Sequence, residues 1–152
     1  TVDPALPVAF DRWLPRFIED QARARFRELG VHYTPRVAPV TVRLHPLLLE
    51  HIFVTLITNA CTALAHAPGP RRLTLAAQTD GGVARIRLAN TGALFPAEVL
   101  QAQGRAPVAS AEGLGLGLLL ARKLLEQVGG TVSLENAGGE AIVQLTLPAG
   151  PA

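Results

Sequence analysis

The sequence has few of the residues that mark specialised classes of protein. It contains one cysteine, Cys61, one tryptophan and one tyrosine. A single cysteine excludes an internal disulfide, and its position in an apolar stretch predicts a buried thiol in a reducing compartment. Charged residues are also scarce at 17%, whereas hydrophobic residues reach 49%. This balance excludes a disordered tail and predicts one compact domain over residues 1–152.

Clusters of one charge and long apolar runs are also missing. The net charge is +2, and two arginines are adjacent only at Arg71 and Arg72, so we expect no nucleic-acid partner. His51 and Asn59 interrupt the longest apolar stretch, so we expect no membrane span. The chain opens on TVDPALPVAF, without a methionine or a signal peptide. We therefore expect it to be a segment of a longer protein.

The first 45 residues contain one helical pattern and two extended ones. Apolar residues recur at helical spacing in DRWLPRFIEDQARARFRELG, where Pro15 predicts that the regular helix begins there or later and Gly30 predicts its end. The segments VHYTPRV and VTVRL are short and rich in β-branched residues. We expect them to be strands that can pair as a hairpin.

Three further helices are predicted downstream. HPLLLEHIFVTLITNACTALAHA begins with proline, is apolar nearly all round and is long enough for a buried central helix. A short helical patch covers residues 96–102, and an aperiodic stretch after it is typical of a mobile loop. EGLGLGLLLARKLLEQVGG then has no helix breaker after its first glycines until Gly129.

Two pairs of alternating segments predict hairpins. RRLTLAAQT and VARIRLAN flank Asp-Gly-Gly, and GTVSLENAG precedes EAIVQLTLP with glycines between them. Because these hairpins alternate with helices, the sequence predicts an α+β fold. We expect a two-layer α/β sandwich whose mixed, mostly antiparallel sheet is backed by helices.

Gly113, Gly115 and Gly117 stand directly before the last predicted helix. The N-terminus of a helix exposes backbone N–H groups, and glycines there let a phosphate approach the backbone closely. Glycines before a helix also occur as a hinge, and the pattern alone leaves both readings open. It is not a P-loop, because no Gly-Lys-Ser/Thr follows and Lys123 is the only lysine.

Two asparagines are the other candidates. Asn59 lies within the apolar central helix, where its amide either bonds to nearby backbone or faces a cavity and a ligand. Its amide oxygen suits Mg²⁺. Asn90 ends a strand before Thr91 and Gly92, a place where an asparagine is expected for its turn-forming chemistry alone. His51, on the central helix, is interpreted as a packing or capping residue.

The order of these features resembles a known family. An asparagine in a long helix, a hairpin ending in Asn-Thr-Gly, a loop and a Gly-Leu-Gly-Leu-Gly-Leu helix start are similar to the ATP-binding catalytic domain of bacterial sensor histidine kinases. That domain belongs to the GHKL superfamily with gyrase, heat-shock protein 90 and MutL. LLLEHIFVTLITNA resembles the N box, IRLANTGALFP the first glycine box and EGLGLGLLLARKLLEQVGGTVSLEN the second. The resemblance extends from about residue 8 to Pro148.

The resemblance implies a Bergerat fold that binds ATP and Mg²⁺ between its helices and a lid of roughly residues 97–112. Asn59 would be the Mg²⁺ ligand, Asn90 would stand where the family usually has an adenine-reading aspartate, and Gly92 would let the base lie close. Arg105 is the candidate to meet the phosphates. The triphosphate would be lined by Gly113, Leu114, Gly115, Leu116 and Gly117.

The sequence departs from the family pattern in two boxes. The family's DxGxG reads NTGAL, so a carboxylate becomes the amide of Asn90 and the second glycine becomes Leu94. An amide oxygen accepts a hydrogen bond without the charge of a carboxylate, which predicts weakened or altered nucleotide binding. Thr55 replaces the first asparagine of the N box, and Thr62 stands where many members have a charged residue.

The function implied is transfer of the γ-phosphoryl group of Mg·ATP to a histidine on a separate dimerisation and phosphoacceptor domain. None of the histidines here, His32, His45, His51 and His66, begins a phosphoacceptor motif. We expect a cytoplasmic domain of a homodimeric kinase that acts on a response regulator and meets the membrane only through upstream regions. The alternatives are a pseudokinase that acts as a regulatory binding module, or a GHKL-type serine kinase or ATPase.

Overall fold

The computed structural model describes residues 3–108 and 116–150, which form a sheet layer and a helix layer around one core. The predicted two-layer α+β sandwich is confirmed. In chain order the elements are β1 (Pro7–Ala9), α1 (Phe10–Gln21), α2 (Arg23–Leu29), β2 (His32–Val37), β3 (Thr41–Arg43), α3 (Pro46–Ala65), β4 (Arg72–Asp80), β5 (Val83–Asn90), α4 (Ala97–Ala102), α5 (Leu116–Glu126), β6 (Thr131–Ala137) and β7 (Glu140–Pro148).

The main sheet has the strand order β2-β4-β5-β7-β6, in which β2 is parallel to β4 and the other neighbours are antiparallel. Both predicted hairpins, β4–β5 and β6–β7, are confirmed. Alternate residues of these strands are buried, as the period of two requires. The buried face packs on the helices, and residues of α3 share one hydrophobic core with it.

The predicted hairpin between the segments that became β2 and β3 is wrong. β2 pairs with β4, whereas β3 pairs with β1 in a separate two-stranded sheet. The segment that connects β2 to β3 makes hydrogen bonds of its own to other elements. Ala38 donates its N–H to Ala77 of β4, and Val40 donates to the Asp11 carboxylate at 3.0 Å. These bonds direct the chain from the main sheet to α1, which composition and periodicity do not encode.

The first helix differs from the prediction at its start and in its length. α1 begins at Phe10 and contains Pro15, although proline there removes one hydrogen bond. Stacked rings hold the first turns, since Trp13 lies 5.8 Å from Phe10 and 4.8 Å from Phe17 between ring centroids. The helix ends at Gln21, and α2 follows as a separate helix that ends, as predicted, at Gly30.

The predicted central helix is confirmed as α3. Among the described residues it is the one helix long and apolar enough to cross a bilayer, with a mean hydropathy of 1.6 despite its polar interruptions, and it packs in the core. The prediction that His51 is a packing or capping residue is wrong. His51 is exposed, and the helix is capped by His45, whose Nδ1 accepts a hydrogen bond from the Leu47 N–H at 3.1 Å. Cys61 is buried as predicted, and burial raises the pKa of its thiol.

Arg71 ties the C-termini of α2 and α3 together. Its guanidinium donates to the Leu29 carbonyl at 2.8 Å and to the Ala65 carbonyl at 3.1 Å. Hydrogen bonds from a charged donor contribute about 1.5–3 kcal/mol each when shielded, and both carbonyls stand at helix ends that favour a cation.

We predict that Arg71→Ala lowers the free energy of unfolding by about 2 kcal/mol, since partial solvent exposure weakens both bonds. Urea denaturation followed by circular dichroism measures this change. Arg72→Ala is the matched control, because Arg72 is exposed and its side chain bonds to none of the residues at positions 3–108 and 116–150. Equal midpoints for the two variants would contradict the role of Arg71.

Candidate functional site

A cavity of about 520 Å³ lies between α3, the end of β5, the α4 region and the start of α5. Its volume is in the usual range for small-molecule sites. Its wall is mostly apolar, with a few amides and hydroxyls. The described lining residues are Leu56, Thr58, Asn59, Ala60, Thr62, Ala63, His66, Leu88, Asn90, Ala93, Leu94, Phe95, Pro96, Val99, Ala102, Gly104, Ala106, Val108, Leu116, Gly117, Leu118, Ala141 and Val143.

Asn59 lies on the face of α3 that borders this cavity. Its side chain is exposed and bonds to none of the described residues, so of the two alternatives drawn from the sequence, a bond to nearby backbone or a place facing a cavity, the structure has the second. On the same face, the Thr62 hydroxyl donates to the Thr58 carbonyl at 3.0 Å. The Thr62 hydroxyl is therefore already bonded within the helix, whereas the Asn59 amide bonds to no described residue and is available to a ligand.

Asn90 ends β5 on the cavity wall and is the one buried polar residue of the described chain, with 6% of its surface exposed. Its Nδ2 donates to the Thr91 carbonyl at 2.9 Å. Its Oδ1 receives no hydrogen bond from the described residues. Every fully buried side-chain nitrogen or oxygen atom of the described residues has a hydrogen-bond partner. Because Oδ1 has none, it is not fully buried, and Asn90 lies on the cavity wall.

Gly92 does not line the cavity but lies against the end of α3. Its φ is +101°, and a Cβ there would lie 2.2 Å from the Ala63 carbonyl oxygen. The next residue, Ala93, donates its N–H to that same oxygen at 3.1 Å. Close packing on α3 therefore requires glycine here, and the suggestion that Gly92 admits a base stays a prediction.

The predicted glycine run is described only in part. Gly113, Leu114 and Gly115 lie outside the described residues, while Leu116 and Gly117 begin α5 on the cavity wall. A Cβ on Gly117 would lie 2.8 Å from Cγ2 of Thr55, so the start of α5 packs closely on α3. Thr55, which replaces an asparagine of the N box, forms this contact.

Long-range hydrogen bonds fix the segment around α4 to the edge strand β6. The Asn136 amide both donates to and accepts from the Phe95 backbone, each at 3.0 Å. Gln103 likewise bonds to both backbone groups of Leu134, each at 2.8 Å. Arg122 of α5 then donates to the Gln103 carbonyl at 2.8 Å. Sequence reasoning missed these residues, because each bond joins positions far apart in the chain.

Charged side chains are missing from the described lining of the cavity. Arg105, the predicted phosphate contact, is exposed and outside that lining, so its role stays a prediction. Residues 109–115 contain no lysine or arginine. His66 is the one titratable residue of the described lining.

The oxygen atoms that could act as ligands in the cavity fit a magnesium nucleotide better than a free metal ion. The described residues contain no group of three or more His, Cys, Asp or Glu side chains that could hold a metal. Mg²⁺ usually keeps several waters and shares its ligands with substrate phosphates, so one amide oxygen such as that of Asn59 suffices. The apolar wall and the nearly buried acceptor of Asn90 suit a planar base with an amino group.

Comparison with known sequences agrees with this fit. Residues 44–151 match the family model described as histidine kinase-, DNA gyrase B-, and HSP90-like ATPase. The C4-dicarboxylate transport sensor protein DctB of Pseudomonas aeruginosa is 36% identical over 115 residues, which are 72% of this chain and 19% of that protein.

Solved structures show the same fold. The catalytic domain of histidine kinase ThkA has a TM-score of 0.82 at 17% identity, covering 95% of this chain and 97% of that domain. The full-length ShkA structure in complex with AMPPNP has a TM-score of 0.80 at 23% identity, covering 96% of this chain and 31% of that one. ThkA in complex with its response regulator protein TrrA has a TM-score of 0.79 at 16% identity, covering 95% and 42%.

Proposed function

This chain belongs to the histidine kinase-, DNA gyrase B- and HSP90-like ATPase family, as an ATP-binding domain of the sensor histidine kinase type, and we propose that it binds Mg·ATP in the cavity. We further propose that it holds the γ-phosphoryl group for transfer to a histidine of a dimerisation and phosphoacceptor domain. The observation that carries the proposal is the pair of amide oxygens, of Asn59 and Asn90, that accept no hydrogen bond from the described residues and lie on the wall of one cavity.

The two amides divide the site into a phosphate end and a base end. Asn59 would supply one oxygen ligand to Mg²⁺, and the bound ion would neutralise phosphate charge that no lysine or arginine of the described lining meets. Asn90 would accept a hydrogen bond from the adenine amino group. Leu88 and Val143 belong to the apolar wall between sheet and helices that excludes water from the base.

Phosphoryl transfer depends mainly on positioning and charge neutralisation. The start of α5 borders the cavity at Leu116 and Gly117, and the N-terminal turn of a helix favours anions. The segment around α4, fixed to β6 by Gln103 and Asn136, would form the base of a lid over the nucleotide. These residues bind and orient the nucleotide, and the acceptor domain supplies the nucleophile.

The chain spans about a fifth of the length of DctB, so the activity of the whole protein is a proposal. We propose that residues 1–152 act as one ATP-binding domain of a homodimeric sensor kinase whose phosphoryl group passes to a response regulator. The ThkA complex with a response regulator supports that partner. We further propose that the domain lies in the cytoplasm and meets the membrane only through other parts of the protein.

Titration of the chain with a fluorescent ATP analogue, with and without Mg²⁺, tests the nucleotide proposal. We expect saturable binding that Mg²⁺ strengthens and that unlabelled ATP displaces. The absence of binding at millimolar nucleotide would overturn the proposal. The charge-free described lining would then favour the second candidate, a regulatory module that acts through protein contacts.

The acceptor is tested with radiolabelled ATP and the protein's own dimerisation domain. We expect an acid-labile product, because phosphohistidine hydrolyses in acid whereas phosphoserine does not. An acid-stable product would assign the chain to a serine kinase, and release of phosphate alone would assign it to an ATPase.

A further inference from the structure

We propose that the open face of the main sheet, which is turned away from the helices, is a docking surface for an acidic segment of a partner protein. Arg36, Arg85 and Arg87 line a depression of about 450 Å³ on this face, and we call the surface they form the arginine face. It shares no lining residue with the cavity of the candidate site, so the proposal does not depend on nucleotide binding.

The register of the strands brings these arginines together. Arg36 of β2 lies opposite Ala76 of β4, and Ala76 lies opposite Arg87 of β5. Adjacent strands are about 4.8 Å apart, so the backbones of the two arginines lie about 10 Å apart with a small side chain between them. Arg85 is two residues before Arg87 on β5 and therefore shares its face. The fold thus creates a cluster of positive charge that the sequence does not show.

The charge of the arginine face is not neutralised within the described part of the chain. Arg36 and Arg87 are exposed, and neither side chain forms a hydrogen bond or ion pair with a described residue. Arg85 bonds to Asp80 at 3.4 Å through Nε. Strands β2, β4 and β5 together contain four arginines and one acidic residue, Asp80. Charge complementarity therefore favours an acidic occupant.

The depression also offers groups that suit a peptide. Gln78 and Gln144 line it beside the arginines, and their side chains bond to none of the described residues. An amide can both donate and accept, as the N–H and C=O groups of an extended peptide require. A guanidinium can form two parallel hydrogen bonds with one carboxylate. A segment that places Asp or Glu side chains against the arginines would satisfy both kinds of group.

Two other kinds of negatively charged partner fit this surface less well. A membrane surface is bound most firmly when apolar side chains insert beside the basic ones, and none of the exposed large apolar residues of the described chain lies on a strand of the main sheet. A nucleic acid is held through many phosphate contacts along its length, whereas the outer arginines of this surface are only about 10 Å apart.

The arginine face lies directly behind the cavity of the candidate site. Leu88 and Val143 are opposite each other in the β5–β7 pair and line the cavity. Their neighbours Arg87 and Gln144 are also opposite each other and line the depression. Because successive residues of a strand point to opposite faces, a single layer of sheet separates the two sites. A segment bound to the arginine face would therefore leave the cavity open.

Fluorescence anisotropy with a short labelled peptide of alternating glutamate and alanine tests the proposal. We expect the wild-type chain to bind this peptide, to bind the matching lysine peptide far more weakly, and to lose affinity as salt is added. The double variant Arg36→Glu/Arg87→Glu should bind the glutamate peptide at least about tenfold more weakly than wild type, because it reverses both charges that flank Ala76.

The double variant Arg12→Glu/Arg16→Glu is the matched control. Both of these arginines are exposed on α1, one turn apart, and the change in net charge is the same. It should bind the peptide within about twofold of wild type. Circular dichroism checks that each variant is folded. If the reversed charges unfold the chain, Arg36→Gln/Arg87→Gln removes the same charges without reversing them and should also weaken binding.

Three results would overturn the proposal. The first is the absence of binding by the folded wild type at millimolar peptide. The second is an equal loss in the control variant, which would show that binding follows net charge and not the arginine face. The third is tighter binding of a single-stranded oligonucleotide or of phosphatidylserine vesicles, lost in the same arginine-face variant, which would assign the surface to a nucleic acid or a membrane. A loss of peptide binding confined to the arginine-face variants supports the acidic segment.

Discussion

Replacing Asn59 with alanine is expected to remove the Mg²⁺-dependent part of nucleotide binding while leaving the weaker binding without metal unchanged. Asn59 is the amide that α3 presents to the cavity, and the described lining holds no carboxylate that could take its place. Because even residues that only support a metal ligand contribute about 10–100-fold to affinity, loss of the ligand itself should weaken Mg·ATP binding by about 100-fold. Titrations at fixed nucleotide and increasing Mg²⁺ measure this effect.

His51→Ala is the matched control for this variant. His51 is exposed on the same helix, about two turns earlier, and does not line the cavity. Both substitutions leave the buried face of α3 intact, so their unfolding curves should agree with wild type. If Asn59→Ala keeps the full Mg²⁺ enhancement, the ion is held by other groups and the assignment of Asn59 is wrong.

Much of the fold was predictable because local patterns and final burial agree. The alternation in RRLTLAAQT and VARIRLAN matches the buried face of β4 and β5, and the glycine turn between them fixes an antiparallel pair. The errors arose where tertiary contacts override local preference. Pro15 disfavours a helix start at Phe10, yet the stacked rings hold that turn in place.

The site was predictable in a different way. Asn59, Asn90 and the start of α5 were found through their order along the chain, and the structure brings all three to one cavity. Gln103 and Asn136 gave no signal, because an amide that bonds across the fold looks like any surface polar residue in the sequence. The exposure of Asn59 was not predicted either, since the sequence of a helix that is apolar nearly all round does not show which face borders a cavity.

The largest effect on stability is expected at Gly92, in a graded series with two other glycines. Gly69→Ala should change little, because Gly69 has an ordinary φ and open space around it. Gly81→Ala should cost about 1–2 kcal/mol, since its φ of +58° is left-handed but a Cβ there would contact nothing within 4 Å. Gly92→Ala adds overlap with the Ala63 carbonyl to the unfavourable φ, and we expect a loss of about 4 kcal/mol or more. Urea denaturation of the three variants measures the series.

The series also decides why glycine occupies position 92. If Gly92→Ala loses far more stability than Gly81→Ala, the packing of the β5–α4 loop on α3 requires glycine without any ligand. If the two variants are equally stable, α3 gives way at Ala63 and the packing explanation fails. A normal unfolding midpoint combined with weakened nucleotide binding would then support the sequence-based prediction that Gly92 lets the base lie close. Stability and binding must therefore be measured on the same variant, because either measurement alone leaves both explanations of Gly92 standing.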